Sequence, residues 1–137
     1  MPANTEPIFS RVAAIGISTA LTAASTLYTG IHANDALIFT ADATNGAFVQ
    51  KVRFKALGTN IATVARIYVN DGSTATSTHY ALFGEISLAA MTTSATNAMP
   101  DYDYPMNIPI PAAWRLYCGI GTAVAAGWIC TTVAGSY

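Results

Sequence analysis

The chain has 137 residues, of which only 9% are charged, with six basic and seven acidic side chains and a formal net charge of -1. That length fits one domain with its own core. The missing basic excess argues against nucleic-acid binding, which needs cationic groups to release counterions, and no basic amphipathic stretch suits a membrane surface.

Surface scaling gives a folded monomer of this mass about 6,800 Å² of accessible area, hence one charge per roughly 500 Å², against roughly 200 Å² for average composition. A dispersed monomer normally relies on interspersed charge and a net charge away from zero. An exterior made instead of Ala, Thr and Ser is expected to be partly covered by partners.

In chain order, residues 1–34 read as an N-terminal arm with the first strand or strands, and residues 35–137 as one β domain. Within the first part, residues 12–28 (VAAIGISTALTAASTLY) form the one candidate targeting or spanning segment. It follows Arg11 and ends in small residues, as a signal peptide does, but is too rich in Ser and Thr for a membrane span. A strand is expected near 35–42. Residues 48–57 (FVQKVRFKAL) alternate, with Phe48, Val52 and Phe54 on one face and Lys51, Arg53 and Lys55 on the other, the period of a half-buried strand.

After a turn at Leu57-Gly58-Thr59-Asn60, residues 61–70 form the next strand, stopped by Asn70-Asp71-Gly72-Ser73. A strand over about 79–89 places Tyr80, Leu82, Ile86 and Leu88 on one face and Glu85 on the other. A short helix around 88–98 competes there, weakened by Thr92, Thr93 and Ser94. Further strands are expected near 101–108, 114–121 and 127–134, with Pro105, Pro109 and Pro111 confining the stretch before Trp114 to an edge or linker. About eight strands with regularly spaced turns predict an antiparallel two-sheet sandwich or jelly roll.

Cys118 and Cys130 are the only cysteines, too few for a disulfide framework and without metal-ligand spacing. A hairpin centred near Val124 would bring them close, yet two small buried hydrophobes in a reduced compartment is the plainer expectation.

Four stretches carry a resemblance: FVQKVRFKALGTN (48–60), VARIYVNDG (64–72), HYALFGEISLAA (79–90) and AAWRLYCGIGTAVAAGW (112–128), followed by the terminal VAGSY. Over roughly residues 45–137 their pattern of hydrophobes and turns resembles the jelly-roll cement or decoration proteins of tailed double-stranded-DNA bacteriophages. The resemblance implies a structural virion protein that oligomerises on the outer capsid surface and clamps major capsid subunits after assembly in the host cytoplasm, with neither catalysis nor cofactor. Tail-fibre proteins and carbohydrate-binding jelly rolls share this style of sequence and form the alternative.

The chemical motifs weigh little. His32 and His79 are the only histidines, and Gly16-Ile17-Ser18-Thr19-Ala20 falls short of a nucleophile elbow. Asp101 and Asp103 on an extended segment would place two carboxylates about 7 Å apart, as any such pair on a strand does. Flanking Tyr102 and Tyr104, with Tyr80, are candidate sugar platforms, and Asn107 would join the two aspartates in a calcium site that lacks a loop motif. No glycine pair leads into a phosphate-binding Lys-Ser/Thr. Trp128, after Gly127, is expected in the core.

The strongest electrostatic feature is Lys51, Arg53 and Lys55, half of the basic residues, with Arg66 expected nearby on the next strand. Such a row is either a solvated face that discourages edge-to-edge aggregation or a dock for acidic groups of a capsid subunit. Ile8 and Phe9 of the arm and the terminal Tyr137 complete the candidate interface, with the major capsid protein and a second or third copy of the chain as expected partners.

Overall fold

A computed structural model describes residues 10–73 and 76–137. Among these residues there are eight strands: β1 (Val12–Ile17), β2 (Ala36–Thr40), β3 (Ala47–Ala56), β4 (Thr63–Asn70), β5 (Tyr80–Leu88), β6 (Tyr102–Ile110), β7 (Arg115–Ile120) and β8 (Trp128–Ser136). They form two four-stranded sheets, ordered β1-β8-β3-β6 and β2-β7-β4-β5. The first strand pairs antiparallel with the last, the second with the seventh, the third with the sixth and the fourth with the fifth. That nesting is one long hairpin rolled into two packed layers, the connectivity of a jelly roll.

The inward-facing residues explain why the layers close. Val52, Phe54, Ile67, Leu116, Cys118, Ile120, Trp128 and Cys130 are all completely buried between the sheets. Trp128 meets Tyr102 edge-on, with ring centroids 5.6 Å apart. Asn60 is the polar rivet of one end. Its amide donates to the Gly127 carbonyl at 2.8 Å, and its side-chain oxygen accepts from the Ala126 and Gly127 N–H groups, both at 2.9 Å. A buried amide so satisfied fixes the approach of the chain to β8.

Two turns follow from their residues. The Asp42 carboxylate accepts from the Thr44 and Asn45 N–H groups, and Gly46 adopts a left-handed φ of 77° that leads into β3. After β4, Asn70 and Asp71 accept from the N–H groups of Gly72 and Ser73.

Two β-bulges change which residues face inward. The register of β3 slips between Val49 and Lys51 against both neighbours, so Ala47 and Val49 are buried with Val52 and Phe54. Phe48 therefore stands on the outer face, not with Val52 and Phe54 as strict alternation predicts. The register of β5 slips at Phe83 against β4. Ile86 and Leu88 face the core, whereas Tyr80 and Leu82 stand on the outer face, Tyr80 against Tyr117 and Leu82 opposite Tyr68. An extra residue in one strand exchanges the faces of everything beyond it.

No helix occupies 88–98; Met91 instead bridges Asn60 through reciprocal backbone hydrogen bonds of 2.9 Å. Nor do β7 and β8 form a hairpin, since they lie in opposite sheets. Cys118 and Cys130 are both buried and free. Burial, reinforced by the neighbouring Cys130, pushes the Cys118 thiol well up, which leaves it unreactive.

Ser18 and Leu21 still pair with β8, Leu21 being buried in the core, and the stretch around residues 25–30 then lies over the outer face of the β2-β7-β4-β5 sheet before the chain enters β2. The Tyr68 hydroxyl donates to the Leu27 carbonyl at 2.9 Å, and Gly30 lies directly on the Tyr68 ring, where a Cβ would come within 2.7 Å. Tyr68 is thereby buried on an outward face, which pushes its hydroxyl up to about 12. The arm expected ahead of β1 lies outside the described residues.

Candidate functional site

The outer face of the β1-β8-β3-β6 sheet gathers the basic row. Lys51, Arg53 and Lys55 point outward from β3, and the same antiparallel register sets Arg53 opposite Asp103 on β6. Arg53 grips Asp103 with two parallel hydrogen bonds, Nε to Oδ1 at 2.6 Å and Nη2 to Oδ2 at 2.8 Å. Lys51 Nζ reaches Asp103 Oδ2 at 3.2 Å. Lys55 Nζ contacts Asp101 Oδ1 at 2.8 Å and the Met99 carbonyl at 3.1 Å. The guanidinium hydrogen bonds to Asp103, opposed by partial burial and aided by Lys51, hold that carboxyl down at about 2. Lys55 and then Arg53 lower Asp101.

The two charge motifs are therefore each other's partners, three cations interleaved with two carboxylates. Their sum is one positive charge, far less than an unpaired row would present to an acidic surface. Both carboxylates are held by cations, and among the described residues no cluster of three metal-ligating side chains exists.

Arg66 is not beside this row. Consecutive strands β3 and β4 lie in opposite sheets, so Arg66 projects from the far outer face. There its Nε meets Glu85 at 2.8 Å, its other nitrogens donate to the Ser25 carbonyl at 3.0 Å and the Tyr28 hydroxyl at 3.1 Å, and its carbon sits 4.2 Å from the Tyr28 ring centroid. It pins the segment around Ser25 and Tyr28 to the sheet. Ile8 and Phe9 lie outside the described residues. Tyr137 is half-buried at the end of β8, its N–H donating to the Gly46 carbonyl at 3.4 Å.

The remaining motifs resolve into structural work. Tyr102 and Tyr104, alternating with the outward aspartates, pack against the core, Tyr104 edge-on to Phe83 with centroids 6.3 Å apart. His79 Nδ1 lies 2.6 Å from Asp71, bracing the turn after β4, and His79 together with Ser73 lowers that carboxyl. His32 Nδ1 accepts from the Asn34 N–H. The Ser18 hydroxyl accepts from the Cys130 N–H and donates to the Thr19 carbonyl.

What sequence reasoning missed is apolar. Among the described residues, Val12, Ile15 and Ile17 of β1 are 62%, 64% and 68% exposed, and Leu27, Tyr28, Ile31 and Leu37 follow in the crossing segment and β2. The signal was in the letters VAAIGI, uncharged and free of proline, read above as part of a targeting segment or arm.

Compared with protein-family models, curated proteins and solved structures, the chain matches none.

Proposed function

We propose that this protein is a structural component of a bacteriophage particle, a jelly-roll decoration protein that binds the outer capsid surface as an oligomer and stabilises contacts between major capsid subunits. The observation that carries the reading is how the molecule spends its few charges. Among the described residues, Lys51, Arg53, Lys55 and Arg66 are tied to the chain's own carboxylates, while large hydrophobics stand in water. An exterior of that kind suits burial against other subunits better than life as a free monomer.

The mechanism is mass action. A subunit that binds only the assembled lattice stabilises that lattice by its binding free energy, with no chemistry required. The β3–β6 ion lattice supplies a polar surface, and the apolar β1 strip, on the other side of β8, supplies area to be buried. The test is co-sedimentation with shells of the major capsid protein encoded in the same genome. Saturable binding at a fixed ratio, with a raised shell melting temperature, is expected. Protein left in the supernatant at micromolar concentrations of both components would refute the reading.

A further inference from the structure

The sandwich has four sheet edges, and three carry features that obstruct pairing. On β6, Pro105 and Pro109 lack N–H groups, and Asn107 interrupts the strand with a φ of 51°. On β5, the bulge at Phe83 and the charge of Glu85 interrupt the edge. The β2 strand has five residues and an irregularity between Leu37 and Phe39. Bulges, prolines, charges and shortness are the usual protections of a sheet edge.

The fourth edge, β1, has no proline, charge or bulge, and is one residue longer than β2. Its six residues pair with β8 in unbroken register, and none is proline or charged. The Ser18 N–H continues the ladder by donating to the Cys130 carbonyl at 2.9 Å. Backbone groups of an antiparallel strand point alternately to its two sides. Even-numbered residues thus bond β8, and Ala13, Ile15 and Ile17 turn their N–H and C=O groups to the open side. The side chains of those same three residues are exposed, as is Val12 at the start of the strand.

We propose that two copies of this chain join along β1, antiparallel about a two-fold axis through Ile15, merging their β1-β8-β3-β6 sheets into one continuous sheet. Ile15 of each copy then stands opposite the other, and Ala13 opposite Ile17. About six main-chain hydrogen bonds form, and the β-branched side chains bury one another. The inference rests on the self-association half of the function proposed above and on no property of a shell.

A second copy is the occupant the observations favour. A two-fold pairing satisfies two identical open edges at once. An uncharged strand offers nothing to select a charged partner strand. The chain's own segment 1–9 is a poor donor strand, since Pro2 and Pro7 remove two of its N–H groups. A standard interface takes about 800 Å² from each partner, roughly a tenth of the 7366 Å² surface here. The strand pair supplies part of that area. Beneath β1, β2 is the edge of the other sheet on the same side and adds Leu37, 46% exposed.

The experiment is sedimentation equilibrium on the full chain, without capsid protein, alongside Ile15→Lys, Ile17→Lys and a chain lacking residues 2–9. Wild type is expected to be a dimer at micromolar concentration. Each lysine variant should weaken the dimer by at least about tenfold while its melting temperature at high dilution stays close to that of the wild-type monomer. The shortened chain should dimerise as wild type does. A wild-type monomer up to hundreds of micromolar, a trimer, or a dimer indifferent to both lysines would overturn the proposal. So would loss of the dimer on removing residues 2–9, which would assign the edge to the arm. Shell binding that fails with the dimer intact would sink the capsid reading and leave this one standing.

Discussion

The β1 and β6 strands bound the same sheet and treat their open sides in opposite ways. The β6 edge is broken by Pro105, Pro109 and a left-handed Asn107, and its Asp103 is clamped by Arg53 and Lys51. The β1 edge is regular, uncharged and apolar, with Ile15 and Ile17 about two-thirds exposed. Stability alone does not demand that contrast, because a sheet of this size folds with both edges protected. One edge ends the structure and the other leaves it open to continuation.

The most disruptive way to probe the contrast is to detach β1. Gly16 faces inward so close to β2 that a Cβ would fall on the Ile38 carbonyl oxygen, against rigid backbone. Gly16→Ala should cost about 3 kcal/mol, the upper range for overpacking, read from urea denaturation. It should also abolish self-association. A cost under about 0.5 kcal/mol would mean that β1 sits loosely on the sandwich.

Loosening the other edge should cost less. Asp103→Ala leaves Arg53 with the longer contact to Asp101, at 3.7 Å, and takes away the carboxylate that Lys51 reaches. Because these groups are about one-third exposed, the loss is expected near 1 kcal/mol. Self-association through β1 should be unaffected. The pH dependence follows the same group. Its folded value, about 2, lies below the unfolded value near 3.9. The stabilisation is therefore complete above pH 4 and is lost as pH falls through 4 toward 2. Asp103→Asn should flatten that part of the thermal stability profile, and an unchanged profile would remove the lattice from the account.

The smallest stability effect should accompany the most informative change in behaviour. Replacing Pro105 and Pro109 by Thr restores two N–H groups to β6 and should alter stability by less than about 1 kcal/mol. It should add a second, β6-mediated mode of association, visible in light scattering as species larger than the wild type forms. No new species would mean that the prolines do not protect this edge.

Seven of the eight strands were legible from alternation and turn residues, because a half-buried strand writes its period of two directly into the sequence. β1 was expected only as a first strand somewhere within residues 1–34, since an edge strand with apolar residues on both faces has little period to fix its bounds. Bulges at Gln50 and Phe83 misplaced Phe48, Tyr80 and Leu82, because one inserted residue swaps faces without changing composition. Arg66 and the cysteine hairpin went wrong for a topological reason: β3 and β4, like β7 and β8, are neighbours in sequence that lie in opposite sheets. The Lys51-Arg53-Lys55 and Asp101-Asp103 motifs were each visible. That they match across one register was not, because pairing β3 with β6 is a long-range choice of the fold.

The difference between the two edges is tested most directly by backbone hydrogen exchange, followed over a hundredfold range of protein concentration. The account predicts that exchange at residues 12–17 slows as concentration rises, with Ala13, Ile15 and Ile17 gaining protection, while residues 102–110 exchange at a constant rate. Exchange at β1 that is fast and independent of concentration would contradict it.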